Sequence, residues 1–305
     1  MERRNFIATL GAATAVSGLN LRAETNPKTA QGNTVRLTLL HTNDTHSRIE
    51  PFGPGNGAVS GKGGMARRAT LVKELRSQLG NVLLLDAGDV FQGTPFFNQY
   101  KGALDYQLMS MVGYDAATLG NHDFDNGVEV LLKAMNEAKF PFVNCNFDMK
   151  GAPALAKRVK PWLVKKFPGL KVGITGVCVD FQGLVAPKNH EGVTWLDPIE
   201  SLKPVIKHLR EREKVDMVVL LSHLGYDMKG SAMDDRTLAA RLPGIDVIIG
   251  GHSHTFLDAP VSIKNSGGET LVFQVGFGGV NLGRMDFTLA KGAVKAASGG
   301  ALPVQ

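Results

Sequence analysis

The chain has 305 residues, 43% of them hydrophobic and 20% charged, which excludes global disorder and leaves room for one large domain or two small ones around a sizeable core. Its formal charge is +6, and removing residues 1–23, which carry Glu2, Arg3, Arg4 and Arg22, reduces it to +4. With basic residues adjacent only as pairs such as Arg67-Arg68 and Lys165-Lys166, and with no zinc-finger spacing or RNA-binding aromatic signature, polymeric nucleic acid is excluded as a partner. Those basic pairs are expected on solvated faces.

The first 23 residues, MERRNFIATLGAATAVSGLNLRA, are an address rather than a fold element. Adjacent arginines precede Phe6-Ile7 and an Ala/Gly/Val stretch too short and too weakly apolar to span a bilayer. Arg3-Arg4-Asn5-Phe6-Ile7 resembles the core of a twin-arginine export signal, with a general secretory signal as the alternative and cleavage expected near Ala23. Residues 24–33 read as a linker. The expected location is periplasmic or secreted, with no stable membrane anchor, since no second apolar segment is long enough. Of the two cysteines, Cys145 and Cys178, both in strand-like apolar contexts, buried free thiols are expected rather than a bridge or a metal site.

From residue 34 short apolar runs alternate with helical patterns. Strands are expected over 35–40, 81–86, 115–120, 140–145, 171–179, 216–222 and 246–251, with a last one over 282–290. Helices are expected over 64–78, where Ala69, Leu71, Val72 and Leu75 share a face, over 126–139, and over 197–213, which opens with an Asp197 N-cap and Pro198 in the first turn. The glycine-rich loop 51–64 has no phosphate-cradle spacing and reads as a surface loop. Residues 292–305, rich in glycine and alanine, read as a flexible tail. The alternation implies an α/β sandwich with helices covering the sheets, its domain spanning 34–291.

The chemistry sits at the ends of the strands. His41-Thr42-Asn43-Asp44-Thr45-His46 closes the first, Ala87-Gly88-Asp89 the second, and Gly120-Asn121-His122-Asp123-Phe124-Asp125 the third. His223 closes the run over 216–222, and His252 and His254 come just after the run over 246–251. One Asp-x-His is ordinary turn chemistry. Five strand ends, holding six of the eight histidines, form a pattern, because α/β sheets gather their ligands at the carboxyl ends of strands. Oxygen and nitrogen donors without thiolate suit Mn, Zn, Fe or Co, and seven donors exceed what one tetrahedral ion takes. Two ions about 3.5–4 Å apart around a shared carboxylate are a common arrangement for hydrolysing phosphate esters.

In wording and order, HTNDTH, LLLDAGDVFQGTP, TLGNHDFD, LLSHLG and IIGGHSH resemble the motifs of the calcineurin-like metallophosphoesterases, and in detail the catalytic domain of the 5′-nucleotidase family, from about Val35 to Thr288. The resemblance implies a four-layer α/β/β/α sandwich with a dinuclear site at the carboxyl ends of the strands. It implies Asp44, His46 and His254 on one ion, Asn121, His223 and His252 on the other, and Asp89 as the bridge. It implies in-line attack on phosphorus by a hydroxide bound at the ions, with His122 stabilising the transition state or the leaving group and Asp125 orienting His122. From the residues alone, Asp125 also reads as an N-cap for the helix over 126–139, a role that could coexist with catalysis. Asp123 is expected to be exposed, His41 and Asn43 to brace the first motif by hydrogen bonds, and His190 and His208 to lie on the surface. The implied activity is hydrolysis of phosphate monoesters, nucleotides foremost. Cyclic nucleotides, sugar-nucleotide diphosphates or sulfur esters in the same site, or metal binding without turnover, are the alternatives. The family's second domain, which grips base and phosphate, has no counterpart in these 305 residues, so a separately encoded chain of that kind is an expected partner.

Overall fold

A computed structural model describes residues 34–230, 233–290 and 292–305. The export signal and linker expected over residues 1–33 lie outside the described residues. The strands are β1 (Thr34–Thr42), β2 (Val82–Asp86), β3 (Ala116–Ala117), β4 (Phe142–Val143), β5 (Phe147–Asp148), β6 (Val159–Lys160), β7 (Trp162–Phe167) and β8 (Leu170–Cys178). They continue as β9 (Thr194–Trp195), β10 (Met217–His223), β11 (Val247–Gly250), β12 (Val261–Asn265), β13 (Gly268–Phe273), β14 (Asn281–Ala290) and β15 (Ala293–Pro303). One sheet runs β15-β14-β1-β2-β3-β4-β6, the other β12-β13-β11-β10-β8-β7, and β5 pairs with β9 apart from both. Within them β1-β2-β3-β4-β6 and β8-β10-β11-β13 pair in parallel, so their carboxyl ends share a side.

Both faces of the central strands β1, β2, β8, β10 and β11 are buried over most of their length, which is why they read as near-continuous apolar runs. On β1, Leu37 and Leu39 point into the space between the sheets and Leu40 points outward. On β10, Met217, Val219 and Leu221 point inward, and Val218 and Leu220 outward. Over the outer face of the first sheet lie α1 (Met65–Gln78), α2 (Pro95–Tyr100), α3 (Ala103–Val112), α4 (Val128–Met135) and α5 (Pro153–Arg158), anchored by side chains such as Val72, Phe97, Met109, Leu131 and Leu155. Over the second lie α6 (Pro198–His208) and α7 (Asp235–Arg241), through Leu202, Ile206 and Leu238. The result is the expected α/β/β/α layering. No helix among the described residues is long and apolar enough to cross a membrane.

Several expectations are corrected. Residues 293–303 are not a flexible tail: β15 pairs antiparallel with β14 from Ala290↔Ala293 to Asn281↔Pro303, and Val304 is buried beyond it. Small residues carry little strand propensity, so the composition concealed a strand that main-chain pairing holds. Arg68 is wholly buried rather than solvated, its guanidinium donating to the Tyr114 hydroxyl at 3.2 Å near Asp86 and Asp105. The helix expected over 126–139 runs only from Val128 to Met135 with Gly127 at its N-cap, so Asp125 does not cap it. At α6 the Asp197 carboxylate accepts from the Glu200 N–H as expected, but beyond His208 the backbone loosens into a π-type turn over Leu209–Glu213. Both cysteines are free, Cys178 buried and Cys145 half-buried.

Candidate active site

β1 delivers the first group of side chains and the loop after it is tied to the loop after β2. The Asp44 N–H donates to the Gly88 carbonyl at 2.9 Å and the His46 N–H to that of Asp89 at 3.1 Å. Asn43 braces the motif as expected, its Nδ2 donating to Asp44 Oδ2 and to the Gly276 carbonyl, both at 2.6 Å, and its Oδ1 accepting from the Val275 N–H at 3.1 Å. His41 does not brace it. Its ring lies between the sheets, edge-on to Phe273 with centroids 5.0 Å apart, and neither ring nitrogen has a hydrogen-bond partner. A Cβ on Gly283 would lie 2.0 Å from His41 Nε2, so that glycine makes room for the ring. Burial without a partner holds the His41 imidazole neutral, its pKa down at about 3.

The loops after β2 and β3 are locked together by Asp123, which is buried rather than exposed. Its Oδ1 accepts from the N–H groups of Val90 and Phe91, and its Oδ2 from those of Asp89 and Gly120, at 2.8–3.2 Å. Nothing in the spacing of the sequence links Asp123 to residues 89–91. A short acceptor two positions beyond Asn121, able to collect N–H groups that a strand end leaves unpaired, is the only signal. Asp89 Oδ1 accepts from the His122 N–H at 2.8 Å, and a Cβ on Gly120 would sit 2.2 Å from that oxygen, so this approach requires glycine.

The second sheet supplies the rest. His223 ends β10 fully buried, and His252 and His254 lie just beyond β11. The His252 N–H donates to both Asp44 oxygens, at 3.0 and 3.1 Å, and the His254 ring stacks on Phe277 with centroids 5.2 Å apart. The side chains gather in two groups, Asp44 with His46 and His254, and Asp89 with His223 and His252, the donor atoms of each lying within 4.8 Å of one another. Beside them His122 Nδ1 lies 2.8 Å from Asp125 Oδ2, and the His46 and His122 rings are 5.4 Å apart. The histidines without a motif stand elsewhere: His208 is half-buried against Trp162, and His190 against Phe181.

The donor set fits divalent cations. His46 Nδ1 lies 3.0 Å from the Phe91 carbonyl and His223 Nδ1 2.7 Å from that of Ala87, and since a carbonyl only accepts, each Nδ1 carries a proton and each ring turns its Nε2 inward. Nε2 of His46 and of His254 approach to 3.0 Å, close enough that both could serve one ion. His223 Nε2, 2.9 Å from Asp89 Oδ2, has no well-aligned hydrogen bond, and Asn121 Oδ1 is buried without any partner. Such atoms are costly to bury unless something is bound there.

The electrostatics agree. Burial opposes charge on Asp89, yet the His223, His46 and His122 imidazoles draw its carboxyl well below the usual range. Burial would lower His223 too, but the Asp89 and Asp44 charges push it up to about 10. Burial and the neighbouring His223 charge bring His252 down to about 4, and burial lowers His46. A proton on His223 therefore stands in for positive charge that a cation would bring. His122 differs: the Asp125 hydrogen bond raises its pKa against a smaller effect of burial.

Comparison with known proteins places this geometry. Residues 37–256 match the calcineurin-like phosphoesterase family. The human 5′-nucleotidase is 39% identical over 228 residues, covering 72% of this chain and 38% of that protein. The Bacillus subtilis trifunctional nucleotide phosphoesterase protein YfkN is 32% identical over 304 residues, covering 89% of this chain and 19% of that protein. Among solved structures, a 5′-nucleotidase precursor from Thermus thermophilus superposes with a TM-score of 0.80 at 38% identity, covering 88% of this chain and 55% of that one. The chain thus spans about half or less of the length of these relatives. With its sandwich, its strand-end donors and this match over most of its length, the chain belongs to the calcineurin-like phosphoesterase family.

Proposed function

We propose that this chain hydrolyses phosphate monoesters, nucleotides foremost, with Asp44, His46 and His254 holding one divalent ion, Asn121, His223 and His252 a second, and Asp89 touching both. The observation that carries this reading is the meeting of two Asp/His donor groups from two sheets, with a carboxylate-held histidine beside them. Divalent ions bound there lower the pKa of coordinated water and neutralise charge on phosphoryl oxygens.

The chain's own groups do the rest. Nδ1–H bonds to backbone carbonyls fix the His46 and His223 rings, so donors are aligned before any ligand arrives. The Asp125 carboxylate 2.8 Å from His122 Nδ1 fixes that ring and favours its cationic form, which keeps a proton at Nε2 for a phosphoryl oxygen or for the departing ester oxygen. Export through the twin-arginine route belongs to the same proposal and is supported by Arg3-Arg4-Asn5-Phe6-Ile7.

Asp89→Asn tests the shared ligand. The amide keeps the shape and loses the charge, so metal content, by elemental analysis of purified protein, and phosphate release should fall together. Two ions per chain with near-native turnover in that variant would refute the dinuclear assignment.

A further inference from the structure

The ligands proposed for the first ion come from both sheets, Asp44 and His46 from the loop after β1 and His254 from the loop after β11. Residues 274–278, where the chain leaves β13, supply no ligand but are bonded to both loops. On one side the Asp44 loop clasps them. Asn43 holds the Val275 N–H and the Gly276 carbonyl, and the Gly278 N–H donates to the Asp44 carbonyl at 2.7 Å. On the other side Val275 forms a bridge with Phe256, the Gly276 N–H donates to the Thr255 carbonyl at 2.9 Å, and the Leu257 N–H donates to that of Gln274 at 3.1 Å.

Gln274 is the only residue of this segment with a polar side chain, and it is fully buried. Its Oε1 accepts from the Thr255 N–H at 2.6 Å and from the Ser253 hydroxyl at 2.8 Å. A backbone N–H only donates, so the atom facing Thr255 is the amide oxygen, and Nε2 makes no hydrogen bond. Ser253 Oγ also accepts from the Tyr226 N–H at 2.9 Å, which ties in the loop after β10 and leaves the hydroxyl proton for Gln274. One oxygen thus grips the residue before His254 and the residue after it. His254 itself has a left-handed backbone, φ 53°, and a side chain 41% exposed, so neither backbone preference nor burial fixes its ring. His252 is held differently, by its own N–H on the Asp44 carboxylate.

We infer that Gln274 is a positioning residue for the first ion: through Ser253 and Thr255 its amide oxygen sets where His254 stands relative to Asp44 and His46. The inference rests on the two-ion reading and adds a residue that touches neither ion nor substrate. Hydrogen bonds behind a ligand orient it before an ion arrives, and their loss typically weakens metal binding by about 10–100-fold. Because the grip brackets His254, that loss falls on the first ion, while the second keeps His223, bonded to the Ala87 carbonyl, and Asn121.

The test reads metal binding rather than turnover. Gln274→Met keeps an unbranched side chain of similar length and removes the acceptor. Metal-free full-length protein is titrated with Mn²⁺ by calorimetry, in the wild-type background and in two backgrounds that each leave one ion to read. With His223→Ala, which leaves the first ion, adding Gln274→Met should weaken binding by at least about tenfold. With His254→Ala, which leaves the second, adding Gln274→Met should change binding by less than about threefold, as for sites that do not share a partner. If Gln274→Met does not fold, as judged by circular dichroism of metal-free protein, Ser253→Ala removes one of the two bonds without emptying the core and should show the same asymmetry. Equal weakening of both ions, or no weakening of the first, overturns the positioning role and leaves the phosphoesterase reading standing. Wild-type protein that takes up fewer than two ions overturns the two-ion reading, and the role of Gln274 with it.

Discussion

His122→Ala separates binding of metal from chemistry. The ring contributes no donor atom to either cluster, and its backbone N–H, which the substitution keeps, makes the 2.8 Å bond to Asp89 Oδ1. Metal content should therefore stay at the wild-type value. Loss of one transition-state donor lowers kcat by roughly 10²–10³. Asp125→Asn should do less. A hydrogen bond to a charged group contributes about 1.5–3 kcal/mol when well buried, but the His122 and Asp125 side chains are 36% and 25% exposed. Solvent screening at that exposure brings the figure to about 1 kcal/mol, or about fivefold in kcat. The sign of the pH dependence comes from the raised pKa of His122: the cation is fully formed below about 6.5 and is lost as pH rises through the folded value. Asp125→Asn should move the alkaline limb of kcat to lower pH, and His122→Ala should remove it. Elemental analysis with steady-state kinetics on an aryl phosphate measures all of this. If His122→Ala sheds an ion, the ring is a ligand and the assignment of roles is wrong.

Other consequences are independent of that pair. His41 is held neutral near pKa 3 while the unfolded chain titrates near 6.5, so its contribution to stability is complete above 6.5 and falls on acidification; at pH 5 the loss is about 2 kcal/mol. His41→Phe, compared with wild type by urea unfolding of metal-free protein at pH 8 and pH 5, should recover that amount at pH 5, and an unchanged difference refutes the burial argument. On the purified chain, an aryl phosphate and several nucleoside monophosphates should have kcat/KM values within about tenfold, about 1.4 kcal/mol; a thousandfold preference for one base would mean that base recognition is built from these 305 residues. Replacing Arg3 and Arg4 together by lysine should strand the precursor in the cytoplasm, and unimpaired export would point to the general secretory route.

The parts of the site that announce themselves in sequence are side chains at strand ends. Asp44, His46, Asp89, Asn121, His122, Asp125, His223, His252 and His254 all come after short apolar runs, and parallel pairing carries them to one side. Polar groups that serve through tertiary contact do not announce themselves. Asp123 looks like another turn residue because its four donors come from Gly120 and from residues 89–91. His41 looks like a brace for the first motif because it opens it, but it shares a strand face with Leu37 and Leu39, and alternation alone sends it between the sheets. Arg68 looks solvated beside Arg67, yet one step along α1 turns a side chain by about 100°. Strand β15 is hidden for a different reason, since its pairing with β14 depends on the backbone and its side chains are mostly alanine, glycine and serine.

Backbone conformation links the fold to the donors. Among the described residues nine non-glycine positions have positive φ, and five of them are Asp44, His46, Asp89, His252 and His254. Left-handed backbone at such residues costs about 1–3 kcal/mol each and persists only where the surroundings over-determine it. Here the surroundings are hydrogen bonds that cross from one sheet to the other. Asp44 accepts the His252 N–H on its carboxylate and the Gly278 N–H on its carbonyl, while its own N–H reaches Gly88. His223, at the end of β10, reaches over to the Ala87 carbonyl in the loop after β2. None of these bonds uses a metal ion, and those from His252 to Asp44 and from His223 to Ala87 need both sheets in place. The strained loops therefore acquire their shape when the core between the sheets closes, and the energy that fixes the donors comes from folding rather than from the ions they await. Substitutions that loosen the packing of Leu39, Leu221 or Ile249 should consequently weaken metal binding without touching a ligand.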